Sequence, residues 1–161
     1  MTARTARRVV VALDASAPSR EAARTAAELA RRLGAVEVAG LFVEDVNVVR
    51  LGGLPSAREI RLPEGTERAI DLETLETELR AAASRARQAL AHEASVERVA
   101  WSFEVRRGPV MNVVLAATGE TDLLVLAEGS ALFTGDLLDR LLGAARSLVL
   151  VTGARARRAA P

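Results

Sequence analysis

The run Val9-Val-Val-Ala-Leu13 constrains the fold more than any other stretch. It is unbroken, apolar, too short for a helix and rich in β-branched residues. Such a run reads as a strand buried on both faces, as in a parallel sheet with helices above and below. It ends in Asp14, and Ala-Ser-Ala-Pro-Ser then leads into a helical pattern. A polar residue at the carboxyl end of a central strand lies where open α/β sheets bind ligands. Asp14 is therefore the first candidate site residue. An Asp here can equally bond the backbone amides of the strand-to-helix turn, and both readings stand at this point.

The rest of the chain alternates in the same way. Ser16 is placed to cap a helix that carries Pro18 in its first turn and stops at Gly34. Its residues Ala22, Ala26, Leu29, Ala30 and Leu33 share a face, and Arg24–Glu28 and Glu28–Arg32 are spaced to pair. The second strand is expected over Val36–Val43, with Glu44-Asp45 at its end. Residues 44–70 are the least regular part, yet too apolar for a disordered linker. Short helices are expected near Asn47–Leu51 and Ser56–Arg61, in a packed excursion covering the sheet. A long amphipathic helix is predicted from Thr66 to about Glu93. It carries the sole histidine, His92, near its end. The third strand, Val99–Arg106, alternates as a sheet-edge strand does. Gly108-Pro109 opens a helix through Val110–Thr118, and Leu123–Ala127 is a second fully apolar strand. A helix from Asp136 to about Ala145 and a last strand, Ser147–Thr152, complete the pattern. Five strands alternating with helices predict a parallel sheet with right-handed crossovers and helices on both faces.

At 161 residues the chain suits one domain, taken as 9–152, between basic tails at 1–8 and 153–161. The tails distort the charge balance. Together they hold six of the 22 basic residues and no acid, so the body carries 16 basic residues against 21 acidic ones. A nucleic-acid-binding domain would show a basic face on the body instead, so no nucleic-acid partner is expected. Every basic side chain is Arg and none is Lys. That removes a Walker A loop and Schiff-base chemistry. There is no Cys, hence no disulfide framework and no thiolate metal site. With a single His, no metal site and no nucleophile–His–acid set can be read. Glu44 and Asp45 are adjacent, so their side chains should point apart. No apolar run reaches the roughly 18 residues that a membrane helix needs. A cytoplasmic, non-catalytic protein with no resident cofactor is expected.

Four stretches carry a resemblance to the universal stress protein family. They are Val9-Val-Val-Ala-Leu-Asp14-Ala-Ser16, Leu41-Phe-Val43, Arg107-Gly108-Pro109 followed by Val113-Val114 and Ala116, and Thr121-Asp122-Leu-Leu-Val-Leu126. The resemblance spans residues 8–152. It implies a Rossmann-like fold of the adenine nucleotide alpha hydrolase type, with a five-stranded sheet of order 3-2-1-4-5. It also implies a homodimer paired through the last strands, here Leu148, Val149, Leu150 and Val151. An apolar edge strand of this kind needs a partner on independent grounds.

The resemblance further implies an adenine nucleotide facing Asp14 and lined by Ala12 and Val43. Members that bind ATP have a phosphate loop of Gly, two residues, Gly, nine residues, Gly and then Ser or Thr. In this chain those positions fall on Ala127, Ser130, Gly135 and Asp136, with Gly129 between the first two. Only residues 131–134 separate Ser130 from Gly135. Glycines let backbone amides approach phosphate oxygens, and two of them are replaced. Asp136 cannot donate a hydrogen bond to phosphate and is placed to cap its own helix, and Glu128 adds another negative charge. The sequence thus points to a family variant with a degenerate ATP site, serving as a stress-response or regulatory module. The alternative is a member that binds ATP or AMP through an altered loop. Residues 44–66 are the expected surface for an unidentified protein partner.

Overall fold

A computed structural model describes residues 7–14, 16–45, 58–61, 66–69, 72–130, 132–133 and 136–153. Strand β1 (Val9–Leu13) is followed by α1 (Ala17–Leu33), β2 (Val38–Asp45), the short strands β3 (Arg58–Arg61) and β4 (Thr66–Ala69), and α2 (Leu72–Glu97). Then come β5 (Trp101–Gly108), α3 (Val110–Ala117), β6 (Leu123–Ala127), α4 (Leu137–Ala144) and β7 (Leu148–Thr152). The main sheet has five parallel strands in the order β5-β2-β1-β6-β7. Numbered among themselves, these strands run 3-2-1-4-5, as expected.

The apolar runs explain the layering. Alternate residues of β1 enter opposite clusters. Val9, Val11 and Leu13 join Ala22, Ala23, Ala26 and Ala30 of α1 and Ala83, Ala86, Leu90 and Ala94 of α2. Val10 and Ala12 join Val110 and Val114 of α3, Leu141 of α4, and Leu132 and Phe133 of the loop between β6 and α4. A strand buried on both sides must be apolar at every position.

Local signals were mostly kept. The Ser16 hydroxyl accepts from the Ser19 amide at 3.4 Å, Pro18 lies in the first turn of α1, and Gly34 closes the helix at φ 62°. Arg24, however, pairs with Glu21 at 3.3 Å and not with Glu28.

Several boundaries differ. β2 begins at Val38, not Val36, and β5 runs Trp101–Gly108, not Val99–Arg106. The helix expected at Ser56–Arg61 is replaced by an antiparallel ladder in which Arg58 faces Ala69 and Arg61 faces Thr66. Pro63 and Gly65, between two short runs, are a hairpin signal. The helix expected near Asn47–Leu51 lies outside the described residues. α2 starts at Leu72 because β4 occupies the predicted first turn, and it ends at Glu97 without a glycine. Arg98 takes the left-handed conformation there, φ 55°, and Val99 N–H reaches Ala94 C=O at 3.0 Å. That bond is the Schellman closure normally made with Gly. Ser102, Glu104 and Arg106 of β5 are exposed, as an edge strand predicts, but Val105 is exposed as well.

Candidate functional site

The chain leaves β1 toward β2 on one side, and α3 later carries it across to β6 on the other. The carboxyl ends of β1 and β6 therefore flank the switch point of the sheet, where open α/β folds bind ligands. Asp14 follows β1 there, and Glu128-Gly129-Ser130 follows β6.

Asp14 is half-buried and engaged locally. Its Oδ1 accepts from the Ser16 amide at 2.7 Å, and its own amide donates to Ser19 Oγ at 2.9 Å. This is the Asx-type turn allowed by the sequence. Asp14 also lines a groove of about 520 Å³ with Arg20 of α1 and Arg85, Gln88, His92 and Glu93 of α2. Spacings of three and four place Arg85, Gln88 and His92 on one helical face. Without knowing that α2 packs beside α1, the sequence gives no reason to join that face to Asp14.

Across the crevice, Gly129 has φ 86°, and a Cβ built on it would lie 3.8 Å from Pro18 Cγ. The loop after β6 thus abuts the first turn of α1. Ser130 is 3% exposed, and its Oγ has no hydrogen-bond partner among the described residues. A buried hydroxyl left unpaired is costly and points to a missing partner. Glu128 packs at the end of β7. Its amide donates to Thr152 C=O at 2.8 Å, and its side chain packs so closely over Gly153 that a Cβ there would lie 2.8 Å from Glu128 Cβ.

Of the expected nucleotide-lining positions, Ala12 and Val43 are buried, 1% and 4% exposed, within the cluster that includes Leu132 and Phe133. Ala127, at the first glycine position, is fully buried. Asp136 stands at the start of α4, exposed, but makes no side-chain capping bond, contrary to expectation; only its carbonyl serves the helix, accepting from the Arg140 amide at 3.0 Å. Its backbone at φ −87°, ψ 1° lies outside the extended region of a usual N-cap. Gly135 lies outside the described residues. Among the described residues no group of acidic or histidine side chains is arranged to hold a metal ion, and no helix is long and apolar enough to cross a membrane.

Two ion-pair networks were not read from the sequence. At the amino end of the sheet, Asp122 Oδ2 accepts from Arg8 Nη2 and Nε at 2.8 and 3.2 Å and from the Gly119 amide at 2.8 Å. Burial alone pushes the Asp122 carboxyl up, but these bonds and the Arg8 charge hold it below its ordinary value. At the carboxyl end, Arg107 of β5 bridges buried Glu44 of β2 at 2.9 Å and Glu76 of α2 at 2.8 Å. The hydrogen bonds it donates to Glu76 and Glu44 raise the Arg107 guanidinium above its ordinary value. Glu44 is thereby a structural counter-ion.

Solved structures share this architecture. A member of the universal stress protein family from Burkholderia pseudomallei matches with a TM-score of 0.61 at 20% identity, over 96% of this chain and 100% of that one. A universal stress protein from Archaeoglobus fulgidus matches with a TM-score of 0.55 at 19% identity, over 89% of this chain and 91% of that one. The Archaeoglobus fulgidus protein in complex with dAMP matches at 0.51 and 21% identity, over 89% and 95%. No family model matches the sequence, and neither does any curated protein. The chain has the Rossmann-like α/β fold of the universal stress proteins.

Proposed function

We propose that this chain is a non-catalytic universal stress protein with a degenerate ATP site. In this reading it is a single domain, residues 9–152, acting as a cytoplasmic homodimer in stress response or regulation. The observation that carries the reading lies at the phosphate-loop positions. Side chains stand at the two positions where phosphate needs bare backbone, Ala127 and Ser130, and both are buried. Ala12 and Val43 present almost no surface to a base.

The homodimer is supported by a contrast between the two edges of the sheet. β5 carries Glu104, Arg106 and Arg107, the charged kind of edge that resists pairing. β7, Leu-Val-Leu-Val-Thr, carries no charge. Leu148 is 74% exposed and Leu150 37% exposed. Among the described residues the outer edge of β7 pairs with no strand.

A second reading, an ATP- or AMP-binding member with an altered loop, is favoured by one observation, the unpartnered hydroxyl of Ser130. A solved structure of the same fold is a dAMP complex. Heat-denaturing the purified protein and assaying the supernatant for nucleotide separates the two. The degenerate-site reading expects none, and one nucleotide per chain would establish the second.

A further inference from the structure

Three observations meet in the loop after β6. Leu132 and Phe133 are buried, although residues linking a strand to a helix ordinarily face water. They belong to the buried cluster that holds Ala12 and Val43, on the α3 and α4 side of the sheet. α3 packs on β2 and β5, and α4 leads from β6 to β7, so the chain leaves β6 toward α4 beside the carboxyl end of its parallel neighbour β1. Beside them Ser130 Oγ is buried without a partner among the described residues.

We propose that Phe133 acts as a built-in occupant of the crevice. Its ring fills the apolar half, and Ser130 Oγ is the polar group that a displacing ligand meets. The proposal rests on the reading of the crevice as a degenerate nucleotide site and gives that state a cause. The site is shut by its own Phe133, beyond lacking phosphate-loop glycines. The ligand class that fits is a flat heteroaromatic ring, with its face toward Ala12 and Val43 and a nitrogen or oxygen on its rim toward Ser130. Such a ligand competes with Phe133. Its apparent affinity for the native chain is therefore reduced by the fraction of molecules in which the ring has left.

Calorimetric titration with adenosine tests this on the native chain, Phe133→Ala and Leu141→Ala, with thermal unfolding to show that each is folded. Leu141→Ala opens a hole in the same cluster from α4 and leaves the loop residues themselves unchanged. Phe133→Val replaces the alanine variant if that one does not fold. Expected are no saturable heat from the native chain or Leu141→Ala, and saturable one-site binding by the Phe133 variant at concentrations where the native chain shows none. Adding Ser130→Ala to Phe133→Ala is expected to weaken it severalfold. A folded Phe133 variant as blind as the native chain, or a Leu141→Ala that gains as much, overturns the plug and leaves the degenerate-site reading intact. Adenosine bound as tightly by the native chain as by Phe133→Ala overturns both.

Discussion

Asp122 shows what one residue contributes and why sequence alone hides it. In the sequence it only introduces a strand. In the fold it receives the guanidinium of Arg8, 114 positions away, and the amide of Gly119. The Arg8 contact is not predictable from spacing, because it exists only once β1 lies beside β6. Asp122→Asn is expected to cost about 1–3 kcal/mol at pH 7, since charge-assisted bonds to a buried acceptor are lost. The folded carboxyl sits below its ordinary value. Its contribution is therefore fully present above the unfolded carboxylate range, roughly pH 4, and is lost as pH falls through the lower folded value. Urea melts should show the gap between native and variant closing below about pH 4; a gap unchanged at low pH would contradict this assignment. Asp14 was legible as a place but not as a role, because an Asx turn and a ligand contact need the same residue at the same strand end.

Elements were legible where periodicity was strong and local. The apolar runs of β1 and β6 and the Ala-rich face of α1 fixed the layers. Small side chains let the helices approach the sheet closely, and Gly40 in β2 shows how closely. A Cβ there would collide with Leu90 Cδ2 of α2 and come within 3.0 Å of Phe103 Cδ2. Gly40→Ala is expected to destabilise by about 1–3 kcal/mol through overpacking. An unchanged denaturation midpoint would mean that α2 packs more loosely than described. Misread elements have identifiable causes. The α2 stripe continued upstream into residues that form β4, because Thr66–Ala69 is too short for its period to be told from the helix that follows. The helix also ran past its expected end, because Arg98 supplies the closure for which a glycine is the usual signal.

For the whole molecule, the strand order followed from alternation, crossover handedness and the family resemblance together. The burial of Leu132 and Phe133 did not, since nothing local in that pair says that they turn inward. Assembly belongs to this scale as well. If β7 pairs with its counterpart, Leu148→Glu with Leu150→Glu should shift the sedimenting species from dimer to monomer at micromolar concentration and leave the circular dichroism unchanged. A native chain already monomeric under those conditions would remove the dimer. Whether the crevice serves ATP is decided by calorimetric titration of nucleotide-free protein with Mg-ATP. A degenerate site gives no saturable heat. Micromolar binding at one site per chain would contradict it, and would mean that Ser130 and the backbone around it hold phosphate without the glycines.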